Sequence, residues 1–240
     1  MSESEVAAPS RGLPARDLKH LLLRRLHSLT GVLPIGAFLV EHFYQNFKAY
    51  GPGGEHRFDT VVEDLQGNPV VLYLEIFAIG LPILYHAIYG LFLAREARHN
   101  VGSYGYGRNW AFFAQRISGV LLVAYIGYHL WMTRLRPELA PELFESSGGL
   151  LTYGYMHDYL TSVHFGIPTW AIYFLGVSAA VFHFANGLWG FMIHWGITVG
   201  PKAQRVSGFA CAGLGVLLWV VGIVSLYAFV SPSLADVALP

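Results

Sequence analysis

The sequence predicts an all-α membrane protein with five transmembrane helices. The prediction rests on the apolar composition and on the length of five apolar runs. Of the 240 residues, 54% are hydrophobic and 12% are charged, whereas soluble domains carry about 25% charged residues. A run of about 20 mostly apolar residues is long enough to cross a bilayer as a helix. Five such runs occur along the chain: 26–48, 70–94, 111–133, 166–194 and 207–230.

These runs form one membrane domain, 26–230, between an N-terminal segment, 1–25, and a C-terminal tail, 231–240. The segments on the side of the N-terminus carry eleven of the fifteen Lys and Arg residues: Arg11, Arg16, Lys19, Arg24, Arg25, Arg95, Arg98, Arg108, Arg116, Lys202 and Arg205. Because basic residues accumulate on the cytoplasmic side, we expect a cytoplasmic N-terminus and an outer tail. Segment 1–25 has no apolar core that ends in a cleavage site, so we expect no secretory signal.

Several classes of function are excluded by what the sequence lacks. Cys211 is the single cysteine, so neither a disulfide nor an iron–sulfur cluster can form within this chain. No CxxCH motif is present, which excludes covalent c-type haem. There is also no Walker motif, no dinucleotide-binding glycine fingerprint and no GxSxG elbow. The net charge of zero gives no reason to expect nucleic-acid binding.

Each of the first four apolar runs contains a histidine in its interior, at His42, His86, His129 and His183. Ionisable side chains within a membrane usually face the interior of the bundle and serve ions, protons or cofactors. The alternative is that the four imidazoles form hydrogen bonds between helices.

The depth of the four histidines divides them into two pairs. At 1.5 Å per residue, His42 and His129 lie roughly 24 and 27 Å from the inner edge of the membrane. His86 and His183 lie roughly 12 and 16 Å from the same edge. The pairs therefore differ in depth by about 10 Å. We call His42 with His129 the outer pair, and His86 with His183 the inner pair.

Two haem irons suit these pairs better than two bare metal ions. A bare ion needs more ligands than two histidines supply, whereas a porphyrin provides four nitrogens and leaves two axial positions. We therefore predict a four-helix core around two stacked haem b groups. The fifth run contains no candidate ligand, and we expect it to pack at the periphery.

Three glycines lie on the histidine faces of these helices, where a missing side chain leaves room for a flat macrocycle: Gly31, Gly90 and Gly187. Gly90 and Gly187 each follow an inner histidine by four residues and so share its helix face. Gly31 precedes His42 by eleven residues, close to three full turns. The alternative role of each glycine is close helix–helix packing.

Polar residues near the inner edge are candidates to bind the anionic haem propionates. The candidates that lie near a histidine face are Arg24, Ser28, Gln115, Ser118 and His194. Their alternative role is ordinary anchoring at the membrane interface.

Glu75 is the candidate for proton transfer. It precedes His86 by eleven residues, which places it on the same face and near the depth of the outer pair. An interior carboxylate beside a redox centre could exchange protons with a quinone. It could equally be a polar group that pairs two helices.

The residues also resemble a known family. The matching stretches are RRLHSLTGVLPIGAFLVEH, LEIFAIGLPILYHAIYG, RNWAFFAQRISG with YHLW, and FHFANGLWGFMIHWGITVGPKAQR, which run in order from about residue 24 to 205. They are similar to the cytochrome b558 membrane subunit of succinate:quinone oxidoreductases of the five-helix, two-haem type. Segments 49–69 and 137–165 match no motif.

The resemblance implies that His42, His86, His129 and His183 are the axial haem ligands, paired as depth pairs them. It implies a flavoprotein subunit that oxidises succinate and an iron–sulfur subunit, both on the cytoplasmic side of a bacterial inner membrane. It also implies menaquinone as the redox partner in the lipid bilayer.

We therefore expect a membrane anchor that transfers electrons between the iron–sulfur subunit of succinate dehydrogenase and membrane quinone. Two alternatives remain at this point. One is a di-haem cytochrome b that serves another dehydrogenase, such as one for formate or hydrogen. The other is a haem-free, proton-coupled transporter, although the chain lacks the paired broken helices typical of that class.

Overall fold

The structure is a computed structural model that describes residues 15–97, 101–139 and 151–231. Its helices are α1 (Ala15–Val32), α2 (Pro34–Phe47), α3 (Gly54–Gln66), α4 (Pro69–Tyr73), α5 (Leu81–Glu96), α6 (Gly107–Leu130), α7 (Arg136–Leu139), α8 (Tyr153–Thr161), α9 (Thr169–His194) and α10 (Pro201–Val230). Two π-helical segments, Leu74–Gly80 and Trp131–Leu135, extend α5 and α6. A short antiparallel hairpin pairs β1 (Val163–His164) with β2 (Ile167–Pro168).

Among the described residues, five helical stretches are long and apolar enough to cross a membrane: Leu18–Phe47, Pro69–Glu96, Gly107–Leu135, Thr169–His194 and Pro201–Val230. The predicted fold class, an all-α membrane protein with five transmembrane helices, is confirmed. The predicted segment 1–25 and tail 231–240 lie partly outside the described residues.

Proline divides the first of these stretches. Pro34 stands at the start of α2 and separates it from α1 at Leu33. A proline ring has no N–H and clashes with the preceding turn, so it kinks or breaks a helix. In the second stretch Pro82 stands in the first turn of α5, directly after the π-helical segment Leu74–Gly80. π-Helical segments are rare, and those that interrupt α-helices frequently lie at functional sites.

Helices α3 and α8 form a cap over the end of the bundle nearest the outer pair, in segments where the sequence showed no motif. Each buries one apolar face, which includes Phe58 on α3 and Leu160 on α8. The amide of Tyr153 donates to Asp59 Oδ1 at 2.6 Å, and its hydroxyl donates to the carbonyl of Ala228 at 2.7 Å. These bonds tie α8 to both α3 and α10, so the cap is part of the packed structure.

Helix α10 packs along α9 through glycines that permit close approach. A Cβ atom at Gly222 would lie 2.8 Å from Val177 Cγ1 and 3.0 Å from Phe43 Cε2. Real Cβ contacts are longer than this, so the three helices fit only because position 222 lacks a side chain. Small residues at such positions are typical of helix packing in membranes.

We expect Gly222→Ala to destabilise the protein by about 1–3 kcal/mol, because an extra methyl group overpacks this contact. Gly213→Ala is the matched control on the same helix, since a Cβ there would meet no atom within 4 Å. Thermal unfolding in detergent measures the difference. Equal melting temperatures for the two variants would contradict the close approach of α10 to α9 and α2.

Candidate functional site

The structure places the four interior histidines in two contacting pairs. The ring centroids of His42 and His129 lie 5.8 Å apart, with their planes at 78°. Those of His86 and His183 lie 6.2 Å apart, with their planes at 83°. Helices α2 and α6 provide the outer pair, and α5 and α9 provide the inner pair.

The spacing within each pair fits two imidazoles on opposite sides of one metal atom. Two metal–nitrogen bonds of about 2 Å each, plus the two ring radii, separate the ring centroids by roughly 6 Å. Within 15–97, 101–139 and 151–231, no group of three or more His, Cys, Asp or Glu residues could hold a metal ion. A pair of histidines alone therefore suits a metal that brings its own equatorial ligands, as haem iron does.

Hydrogen bonds fix which nitrogen each inner histidine presents. His86 Nδ1 donates to the carbonyl of His27 at 2.9 Å. His183 Nδ1 donates to the carbonyl of Gln115 at 3.1 Å and lies 3.1 Å from Ser118 Oγ. A carbonyl can only accept, so Nδ1 carries the hydrogen in both rings and Nε2 keeps its lone pair for a metal.

The outer histidines have side chains as their partners. His129 Nδ1 lies 3.0 Å from the hydroxyl of Tyr173. At His42 the other ring nitrogen is in contact, because Asn46 Nδ2 lies 3.4 Å from Nε2. That amide makes a shorter bond, 2.7 Å, to the carbonyl of His42, so it can leave Nε2 without losing its main partner.

Two glycines bring neighbouring helices against the inner histidines. A Cβ at Gly31 would lie 2.5 Å from His86 Cε1, and one at Gly119 would lie 3.0 Å from His183 Cε1. Gly31 is on the helix pair that carries His42, and Gly119 is on the helix that carries His129. Intervals of eleven and ten residues correspond to roughly 15 Å along the helices, so the two pairs lie at clearly different levels.

Gly119 was not singled out from the sequence, although a signal existed. Its interval to the outer ligand of its own helix, ten residues to His129, nearly repeats the interval of eleven from Gly31 to His42. The repeated interval indicates a shared role only once the structure shows that Gly31 and Gly119 both lie against the inner histidines.

His27 is a site residue that the sequence did not reveal. Its ring stacks on His86 with a centroid distance of 4.0 Å and an interplanar angle of 14°. Its Nδ1 atom is buried and has no hydrogen-bond partner among the described residues. A Cβ at Gly90 would lie 3.1 Å from the His27 ring, so the predicted glycine Gly90 makes room for His27.

Gln115 and Gly187 meet beside the inner pair. Gln115 Nε2 donates to the carbonyl of His183 at 3.0 Å, and Asn186 Nδ2 donates to Gln115 Oε1 at 2.8 Å. A Cβ at Gly187 would lie 3.2 Å from Gln115 Nε2. The predicted residues Gln115, Ser118 and Gly187 therefore belong to one network that holds His183.

The other predicted propionate partners lie further out. Arg24 is exposed, and its Nη2 atom lies 3.9 Å from Glu96 Oε2. Ser28 Oγ donates to the carbonyl of Arg25 at 2.9 Å and accepts from Trp195 Nε1 at 3.0 Å. His194 is exposed at the C-terminal end of α9.

Arg116, next to Gln115, offers a further polar group for an anion. Its guanidinium carbon lies 3.4 Å from the centre of the Phe112 ring. Its Nη1 atom is buried and lacks a hydrogen-bond partner within the described ranges. Arg116 Nη1 is therefore a buried donor that a bound anionic group would satisfy.

Glu75 is paired with a cation. Its Oε2 atom accepts from Arg134 Nε at 3.0 Å and from Nη2 at 2.9 Å. Both residues lie in π-helical segments, and 37% of the Glu75 side chain and 29% of the Arg134 side chain are exposed. The carboxylate thus joins the second and third spans and also remains accessible.

The fold and the site define a multi-pass membrane protein that carries paired histidines at two levels of a helical bundle. No protein-family model matches the chain. The chain is 36% identical over 213 residues to the succinate dehydrogenase cytochrome b558 subunit of Bacillus subtilis (strain 168). The aligned region covers 88% of this chain and 98% of that protein. The chain belongs to the family of succinate dehydrogenase cytochrome b558 subunits, and the resemblance found in the sequence is confirmed.

Proposed function

We propose that this chain is the di-haem membrane anchor of a succinate dehydrogenase and transfers electrons between an iron–sulfur subunit and membrane quinone. Membership of the succinate dehydrogenase family favours this function over service to a formate or hydrogen dehydrogenase. The strongest support for the proposed function is that the four histidines form two contacting pairs at two levels of the bundle.

Two haem b groups are the cofactors that fit these pairs. His42 and His129 would hold one iron, and His86 and His183 the other. Bound haem supplies reversible one-electron exchange between ferric and ferrous iron. The chain itself carries the ligand rings on apolar helices and keeps the lone pair of Nε2 available at His86 and His183.

The inner end would receive the soluble partners. Arg108 lies there, where it donates to Gln204 Oε1 at 2.9 Å and packs over the ring of Trp189. Together with the other basic residues of this end, it supports both a cytoplasmic N-terminus in a bacterial inner membrane and docking of the iron–sulfur and flavoprotein subunits. The inner haem would then face the electron donor.

The outer end would react with quinone, which we take to be menaquinone. Reduction of a quinone to a quinol consumes protons as well as electrons, so the site needs a group that changes protonation. Arg134 follows His129 by five residues, or roughly 7.5 Å along the helix. Glu75, its partner in the ion pair, is therefore close to the outer pair and accessible to a proton donor.

Single substitutions of the ligands test the haem assignment. In a redox titration of the purified complex, His86→Ala and His183→Ala should remove the same one of two haem components. His42→Ala and His129→Ala should both remove the other component, because each iron loses one of its two protein ligands. The control is His56→Ala, an exposed histidine on α3, which should keep both components.

The pairing fails if His86→Ala and His129→Ala remove the same component. A wild-type chain without haem would overturn the proposed function as a whole.

A second pair of variants tests Glu75. Glu75→Gln keeps a hydrogen-bond acceptor for Arg134 but cannot change protonation, so quinone-linked turnover should fall at least about tenfold. Both haem spectra and the activity with an artificial electron acceptor should be unchanged. Arg134→Gln breaks the same ion pair and keeps the carboxylate, so it should slow quinone-linked turnover less.

Normal quinone-linked turnover in Glu75→Gln would assign this carboxylate to the pairing of two helices. The search would then move to Glu63 and Asp64, because Asp59 already accepts a hydrogen bond from the amide of Tyr153.

A further inference from the structure

Two tyrosine rings contact the imidazole of the outer ligand His129. The Tyr125 ring stacks on the imidazole at a centroid distance of 5.9 Å and an angle of 17°. The Tyr173 ring approaches it at 5.6 Å and 72°, and the Tyr173 hydroxyl lies 3.0 Å from Nδ1. Tyr173 is 6% exposed. Both tyrosine rings therefore pack against the His129 imidazole, but only the Tyr173 hydroxyl is hydrogen-bonded to it.

The hydroxyl differs chemically from the partners of the inner ligands. The carbonyls of His27 and Gln115 can only accept, so they set the tautomers of His86 and His183 without help. A hydroxyl can either accept or donate. If Tyr173 donated to Nδ1, the hydrogen of the neutral ring would sit on Nε2 and block that atom as a metal ligand. Tyr173 must therefore accept, and its own hydrogen needs another acceptor.

The candidate for that acceptor is Tyr159 of α8. Its ring lies 5.8 Å from the Tyr173 ring, with the two planes at 84°, and 5.3 Å from the His164 ring. The Tyr159 hydroxyl is buried and has no hydrogen-bond partner among the described residues, so it is a polar atom that the Tyr173 hydrogen would satisfy. Burial raises the pKa of Tyr159 above its ordinary value, so this hydroxyl keeps its proton and can both accept and donate.

The hydroxyls of Tyr173, Tyr159 and Tyr128 lead toward His164 of the hairpin. The Tyr128 hydroxyl lies 2.6 Å from His164 Nδ1, and His164 is partly exposed. If Tyr173 donates to Tyr159 and Tyr159 donates to Tyr128, then Tyr128 donates to His164. Every hydroxyl in this order both accepts and donates once, which is the arrangement in which hydrogen bonds strengthen one another.

We propose that Tyr173 is a positioning residue for the outer haem: its hydroxyl accepts the Nδ1 hydrogen of His129 and is itself kept in that orientation by Tyr159, Tyr128 and His164. This inference rests on the proposed haem ligation. Nothing in the sequence pointed to it, because the line joins α6, α8, α9 and the hairpin through residues far apart in the chain. An acceptor on the distal nitrogen raises the basicity of a ligating imidazole, and a more basic ligand favours ferric iron.

The test is a redox titration of Tyr173→Phe in the assembled complex. The outer haem is identified as the component that His42→Ala removes. Loss of the acceptor should raise its midpoint potential, with a change of about three- to tenfold in the ferric-to-ferrous ratio at a fixed potential. A tenfold change corresponds to about 59 mV for a one-electron couple. The inner haem should be unchanged.

Tyr125→Phe is the matched control, because it removes a hydroxyl from a ring that stacks on the same imidazole and should leave the outer midpoint unchanged. Equal midpoints in Tyr173→Phe and the wild type, or equal shifts in Tyr173→Phe and Tyr125→Phe, would overturn the proposal.

If Tyr173→Phe retains too little outer haem to titrate, the midpoint potential of the outer haem is measured in Tyr159→Phe instead. This substitution leaves every direct contact of His129 in place and should raise the outer midpoint in the same direction by a smaller amount. An unchanged midpoint in that variant would then overturn the proposal. A wild-type protein that shows no outer haem component would contradict the proposed function instead, so the two failures are distinct.

Discussion

The structure depends on one constraint: each ring nitrogen of an imidazole inside a membrane needs a hydrogen-bond partner or a metal. A buried polar group without a partner is costly, and lipid offers no hydrogen bonds in place of water. At three of the four interior histidines, Nδ1 is bonded within the helical bundle, which leaves the other nitrogen for a metal. The close approach of neighbouring helices at Gly31 and Gly119 follows from the need to bring the inner rings together.

The two levels of the bundle meet this need in different ways. At the inner level, main-chain carbonyls of α1 and α6 fix the ligands, and those acceptors cannot be changed by a side-chain substitution. At the outer level, a side-chain hydroxyl and an accessible ion pair lie beside the ligands. The outer level is therefore the more adjustable of the two. This difference is consistent with the proposed reaction of quinone at the outer level.

Much of this arrangement could be predicted from the sequence because a transmembrane helix is nearly one-dimensional. Length and apolar composition indicated the five spans. The rise per residue placed His42 near His129 and His86 near His183, and the structure brings the same residues together. Periodicity likewise indicated that Gln115 and Ser118 face the bundle, where both contact His183.

Other features depend on contacts that no single helix reveals. The stacking of His27 on His86 requires the position of α1 relative to α5, and the role of Tyr173 requires α8 and the hairpin to be in place. Helices α3 and α8 were overlooked because short amphipathic helices outside the membrane give a weaker signal than a transmembrane run. The partner of Glu75 could not be predicted, because Arg134 is 59 residues away in the chain.

If each histidine pair holds one haem, as we propose, the haem-to-protein ratio of the purified chain is two. The pyridine haemochrome spectrum of the purified chain, compared with its protein content from amino-acid analysis, gives that ratio. Two b-type haems per chain are expected, one for each pair. A ratio of one or zero in fully assembled protein would rule out one haem at each histidine pair.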